Sequence, residues 1–475
     1  MGAALLGAGR GSLRISPTDP FSRLALGERG RSIGAVRGST HIPFDRAPKV
    51  GGRVGNLKEQ NCRRVLAVLL GSPSGLSQAR VAELTNLSRS SVSSLLEELR
   101  SVLLHTEKAN PAGNGRPIGL WRLDRSRCLS VGIDIGRTHV AALVTYVFGA
   151  QIAGPLREST LGVLADPDGT LDLATGLVKR LFASQIDFDC ADVAVVTVGL
   201  PGPVDRENGR MTDDAAPRWA EVDVRREVKK RWPEPGSPMQ LAENKANLGA
   251  LAEHRYGAGR RASSLLFIDW SSGIGGGLVL GGRVWRGHSG FAGEIGHLAI
   301  RPSKKQLGTL DLPLDAAAWP RCPHCRQRDC LDGLVGGLTI ADAVDLPNLD
   351  AVAEAALDSE RPQYDRAREV LAVAAELIGH AIGPALTLIN PERIVIGGAV
   401  GRPGLASLLL GNLRCGIEQT SFARAAADVV LEVGALDRRA PVCGAARLGL
   451  DVCAVDRLIR LATPALVDSP ATVEG

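Results

Sequence analysis

Three cysteines stand close together, Cys322-Pro323-His324-Cys325 followed by Cys330. A Cys-x-x-Cys pair brings two thiolates to one tetrahedral ion, the spacing of a zinc knuckle. Cys330 adds a third sulfur, and His324 lies inside the pair. Upstream, Glu294 and His297 stand three residues apart among Gly287, Gly290, Gly293 and Gly296. A carboxylate accepts two hydroxyl protons at once and a neutral imidazole donates or accepts, so this pair can hydrogen-bond hydroxyl groups. Two glycine-containing turns, Asp134-Ile135-Gly136-Arg137-Thr138 and Ser271-Ser272-Gly273-Ile274-Gly275, follow strand-like runs. Glycine in such a turn lets backbone N–H groups approach a phosphate.

The elements that must position these groups follow from apolar spacing. Strand-like runs at Leu129–Ile135, Val140–Tyr146, Val193–Val198, Leu265–Asp269, Val279–Leu280 and Ile394–Ile396 alternate with helical stretches, an α/β texture. No internal repeat of fixed period is evident. Ahead of this body, residues 56 to about 125 read as three helices and a hairpin. Cys62, Val65, Leu66 and Leu69 share one helical face. Ser77 is placed to cap a second helix that buries Val81 and Leu84 and ends near Asn86. Ser88 is placed to cap a third, with Val92, Leu95, Leu96 and Leu99 inward. The short gap between the second and third helices is the helix-turn-helix arrangement. Thr106–Leu123 reads as two strands around a wing at Asn110–Pro117.

Length and charge set the plan. At 475 residues, with 44% hydrophobic and 23% charged, the chain suits a soluble globular protein of about three folding units. No apolar run approaches the ~20 residues that a membrane span needs, so no membrane partner is expected. Nine cysteines, an odd count, and an N-terminal apolar patch too short for a signal peptide point to a reducing, cytoplasmic setting. Residues 1–125 carry a net charge of about +10 and the rest about −5. A basic front end calls for an anionic partner. Ser88, Arg89, Ser90, Ser91 and Ser93 at the start of the third helix suit base edges and phosphates, and Arg116 on the Gly-rich wing suits a minor groove. The expected partner is double-stranded operator DNA.

Taken in order, these motifs resemble those of the ROK family (repressors, open reading frames, kinases). Gly132–Thr138 is similar to its first phosphate loop, with Arg137 in place of the second glycine. Val198–Asp205 is similar to its sugar-bordering G-x-P-G-P-V-D segment, Ser271–Gly277 to its second phosphate loop, Gly287–His297 to its most distinctive signature, and Asn390–Gly398 to a later strand and turn. The resemblance implies an N-terminal all-α winged helix-turn-helix joined to an α/β actin-like (ribonuclease H-like), two-lobed sugar-kinase fold. The plan is a disordered extension (1–54), the winged helix (55–125), a first lobe (128–245) completed by a helix at about 440–462, a second lobe carrying the zinc motif (246–439), and a flexible tail (463–475).

The resemblance also implies roles. Gly202, Asn244, Glu294, His297 and Asp332 correspond to sugar-contacting positions, and Asp134, Gly136, Thr138, Ser272, Gly273 and Gly275 to phosphate-loop positions. Ala215 stands where the family has a sugar-binding Asn, and Asp332 where it has a longer Glu. Structural zinc falls to Cys322, Cys325 and Cys330 with His297 as fourth ligand; His324 is the rival. Ser303–Pro320 reads as an insertion between His297 and the cysteines. The ROK kinases take the hydroxyl proton with an Asp, and here that position is Lys245. A lysine near its normal pKa of ~10.4 is protonated at neutral pH and cannot be that base. The expectation is a repressor, a homodimer or homotetramer, with a small-molecule sugar effector, no phosphoryl transfer and no ATP dependence. The alternative is a kinase that phosphorylates a hexose with ATP.

Overall fold

A computed structural model describes residues 57–462, except 73, 109–117, 125–127, 147–150, 161, 186–189, 206, 213–215 and 234–237. The expected extension, the tail, the wing tip with Arg116, and Ala215 lie outside the described residues. Three helices, Leu57–Leu70, Gln78–Thr85 and Arg89–Glu98, precede an antiparallel hairpin of Leu103–Lys108 with Ile118–Leu123. Ser77 accepts from the backbone of Arg80 and Ser88 from that of Ser91, while Asn86 turns the chain in the left-handed region (φ 54°). One expectation fails: Leu84 is exposed, because Val81, Ala82 and Thr85 form the inner face of the short second helix.

The body holds two five-stranded sheets. In the first, the strands run Gln151–Ser159, His139–Tyr146, Leu129–Ile135, Val193–Leu200, Met239–Asn244 across the sheet. In the second they run Arg283–Trp285, Ile274–Leu280, Ser264–Trp270, Arg393–Gly398, Val430–Val433. In each, the first three strands along the chain form an antiparallel meander and the last two add in parallel on the other side of the first. The topology is therefore repeated, although the sequence shows no period. Edge strands went unread: Gln151–Ser159 is charged and contains Gly154-Pro155, and Val430–Val433 is four residues long.

The halves are tied by exchanged helices. Lys245–Tyr256 leaves the first sheet and packs on the second, while Ala440–Ala462 leaves the second and packs on the first. Ser130 Oγ donates to the Ala446 carbonyl at 2.7 Å across the latter contact. The two helices touch at Gly444, where a Cβ would overlap the carbonyl of Leu248. The far end of Ala440–Ala462 continues into the winged helix: Leu450, Ala454, Leu458 and Ile459 share one buried core with Leu66, Leu69 and Leu96.

Among the described residues one helix, Tyr364–Ile389, has the length and apolar composition to cross a membrane, unlike the short runs read from sequence. Half of its most apolar stretch is buried, and the helix packs in one core with Leu409, Leu413 and Ile417 of helix Ala406–Thr420.

Candidate ligand cleft and metal cluster

Where strand Met239–Asn244 meets helix Lys245–Tyr256, Asn244 caps the helix. Its Oδ1 accepts from the N–H of Ala246 at 2.7 Å and of Asn247 at 3.2 Å. Its Nδ2 donates across the cleft to Glu294 Oε1 at 3.4 Å. Buried Glu243 accepts from Asn247 at 3.0 Å and pairs with Arg286 of the other half.

Lys245 opens the helix, and its Nζ lies 3.0 Å from Asp269 Oδ2 at the end of the first strand of the second sheet. Burial pulls the lysine pKa down, but the charges of Asp269 and Asp134 outweigh it, so the group sits above its ordinary value and stays charged. Asp134, at the equivalent end of the first sheet, is buried and hydrogen-bonded to His139 Nε2 at 2.9 Å. Burial raises its pKa; the His139 hydrogen bond and the charges of His139, Lys245 and Arg157 overcome this and hold it below the usual carboxylate range. Asp134 Oδ1 is buried with no hydrogen-bond partner. Asp269, His139, Arg286 and Arg157 were not singled out from sequence. Asp269 was findable, since it ends a strand before a glycine turn as Asp134 does.

A cleft of about 1080 Å³ brings together Gly202, Asn244, Glu294, His297 and Asp332 with Lys245. Asp332 Oδ1 accepts from the N–H of Ile274 at 2.6 Å, which commits one oxygen to the turn of the second sheet. Ser272 and Gly273 form that turn and face the cleft. Gly275, expected in the loop, lies in the strand against Ala246. Across the floor is a second chamber of about 740 Å³, reached by Asp134 and Thr138. Gly136 packs on the His139 ring in the turn itself.

The ligating atoms of His297, Cys322, Cys325 and Cys330 all lie within 4.8 Å of one another. The insertion does not keep His297 away. Residues 303–320 make an excursion with its own capping box, Ser303 with Gln306, and anchor Leu307, Leu310 and Trp319 in the core. The chain then returns so that Ala299 pairs with Cys330. His297 points Nδ1 at Cys322 Sγ (3.8 Å) and Nε2 at Glu294 Oε2 (4.0 Å). His324 is turned elsewhere: its Nε2 accepts from Arg137 Nη2 at 2.7 Å. The Cys322 thiol is held well below the ordinary thiol range by a hydrogen bond from Cys330 and another from His297, against burial. Three sulfurs and an imidazole, one thiolate already favoured, fit a tetrahedral metal. A metal on Nδ1 leaves Nε2 facing Glu294, so one imidazole serves both cluster and cleft.

In the winged helix, Ser88, Arg89, Ser90, Ser91 and Ser93 are all exposed on one end of helix Arg89–Glu98. Ser88 Oγ is occupied in capping and in contacts with the hydroxyls of Ser90 (2.9 Å) and Ser91 (2.8 Å).

A family model described as ROK family matches residues 130–452. A putative xylose repressor of Caldicellulosiruptor sp. (strain Rt8B.4) is 26% identical over 394 residues, 82% of this chain and 94% of that protein. A glucokinase of Thermotoga maritima is 28% identical over 302 residues, 60% of this chain and 85% of that protein. The crystal structure of a ROK family transcriptional regulator, a homologue of the E. coli MLC protein, shares the fold with a TM-score of 0.65 at 22% identity. It covers 86% of this chain and 99% of that one.

Proposed function

This chain belongs to the ROK family, and we propose that it is a DNA-binding transcriptional repressor whose sugar-kinase-like body senses a sugar without phosphorylating it. The observation that carries this reading is the winged helix built into one core with the last helix of the body. The putative xylose repressor supports it, aligning over 82% of the chain where the glucokinase aligns over 60%. Lys245 supports the non-catalytic half. A buried ammonium paired with Asp269 offers no lone pair to a sugar hydroxyl.

Asn244, Glu294 and Asp332 receive sugar hydroxyls, and Cys322, Cys325, Cys330 and His297 hold structural zinc. The protein works in the cytoplasm as a homodimer or homotetramer. Sugar binding changes closure of the cleft, and the exchanged helices pass that change to the spacing of two winged helices on a palindromic operator. Ser88, Arg89, Ser90, Ser91, Ser93 and Arg116 meet the DNA.

Fluorescence anisotropy tests this with the full chain, a palindromic operator found by selection, and a random duplex of the same length. The operator should bind at least about 100-fold more tightly, with affinity falling steeply as salt rises. Equal affinity for both duplexes at every sugar concentration would sink the reading. Hexose-dependent ATP turnover by the same preparation would put a kinase in its place.

A further inference from the structure

We infer that the effector is an oligosaccharide rather than a single sugar: the first chamber takes one ring on Asn244, Glu294 and Asp332 and a second, linked ring at its mouth, stacked on Phe291. The inference rests on the sugar-sensing reading and names the chemical class of the sensed molecule.

The first chamber has an inner and an outer end. Arg137, Lys245, Asp269, Ser271 and Ser272 line both chambers and so mark the junction between them. Thr212, Pro217, Ala220, Glu221, Phe291 and Arg326 line the first chamber alone, and all are exposed, whereas Asn244 is buried. The exposed set forms the mouth. At about 1080 Å³ the chamber stands at the top of the ~300–1,000 Å³ range of clefts that enclose drug-sized ligands. One hexose is smaller than such ligands, so a ring seated on Asn244, Glu294 and Asp332 leaves the mouth unfilled.

The mouth is built on fixed backbone. Phe291 is 50% exposed, yet the chain is clamped on both sides of it. Gly290 (φ 91°) lies so close to the Val204 carbonyl of the first half that a Cβ would stand 2.8 Å from it. Gly293 (φ 91°) approaches the Gly276 carbonyl of the second sheet, where a Cβ would stand at 2.6 Å. Glycine permits both approaches. The Phe291 carbonyl accepts from the Glu294 N–H at 3.4 Å, so the ring and the carboxylate belong to one turn. The first half supplies the other lip through the short helix Pro217–Ala220. Buried Trp219 donates Nε1 to the Val163 carbonyl at 2.8 Å, and Arg218 donates to the Ala165 carbonyl at 2.8 Å, which pins Pro217, Ala220 and the following Glu221. A sugar ring presents apolar C–H faces and a rim of hydroxyls. Phe291, Pro217 and Ala220 offer apolar surface for the faces, and Glu221 accepts and Arg326 donates to the rim. An aromatic ring held in place before binding loses little freedom when a sugar stacks on it.

Isothermal titration of the full chain tests this with glucose, galactose, mannose and xylose, with cellobiose, maltose, lactose, mannobiose and xylobiose, and with phenyl glycosides of the four sugars. At least one disaccharide should bind about tenfold or more tightly than either of its component sugars. In Phe291→Ala that advantage should fall below about threefold, and in Phe291→Tyr, which keeps the ring, it should persist; melting of the unliganded variants checks that they fold. Component sugars binding as tightly as every disaccharide, or equal losses for sugar and disaccharide in Phe291→Ala, would overturn the inference. So would a phenyl glycoside that matches the best disaccharide, since the mouth would then take any apolar group, or no binding across the set. Single sugars that bind and shift operator affinity, with no gain from a second ring, would leave the sensing reading standing. Operator affinity that responds to no sugar would remove that reading instead.

Discussion

Removing the Lys245 side chain would strip Asp269 of its ion-pair partner and Asp134 of a nearby positive charge, both inside the protein. Taking one partner from a buried pair commonly costs ~3–5 kcal/mol, because the remaining charge stays desolvated and unpaired. Lys245→Ala should lose about that much in urea unfolding, and adding Asp269→Asn should recover part of it; strictly additive losses would mean that the pair is not coupled. His254 offers a pH test. It is buried, with Nε2 3.0 Å from the Ala262 carbonyl. Burial holds its pKa below the ordinary histidine value, outweighing that hydrogen bond. The folded state resists protonation that the unfolded chain accepts, so the contribution is present above about pH 6.5 and is lost as pH falls through the lower folded pKa. Denaturation midpoints of wild type and His254→Gln should therefore converge as pH drops from 7 to 5. Parallel curves would remove His254 from the pH response.

At the scale of elements, the exchanged helices decide what the cleft reaches. Lys245–Tyr256 starts at the ligand cleft and crosses Ala440–Ala462 at Gly444, and the latter helix ends inside the core of the winged helix. Leu458 is fully buried there. Leu458→Ala should cost ~2–5 kcal/mol through lost burial and the cavity left behind. If the helix supports the winged helix, amide exchange in Leu57–Leu70 should accelerate more than in the second sheet. Uniform acceleration would show that the two unfold as one cooperative unit instead.

For the whole molecule, a metal held by His297, Cys322, Cys325 and Cys330 would clamp the base of the 303–320 excursion, where Ala299 already pairs with Cys330. Chelation should lower the melting temperature by at least about 2 °C, which corresponds to roughly 2 kcal/mol at about 2 cal/mol/K per residue for a chain of this size. Metal content measured on purified variants separates the two histidines. His324→Ala should retain the metal and His297→Ala should lose most of it; the reverse result would move the fourth ligand to His324.

The sequence by itself was enough for the family, for both serine caps of the helix-turn-helix, and for the central strands, because these are local: apolar spacing, hydroxyls before helices, and glycines at turns. It also marked Lys245 as unfit to be a base, from charge alone. Edge strands escaped it because half-exposed, charged segments carry no strong period. The repeated sheet order escaped it because topology survives when side chains diverge. The choice of His297 over His324 needed the third dimension, since a folded excursion closes a gap that chain distance makes look too wide. So did the pairing of Lys245 with Asp269. Which charges neutralise one another depends on which strand ends share a cleft, and only the packing of two sheets through exchanged helices decides that.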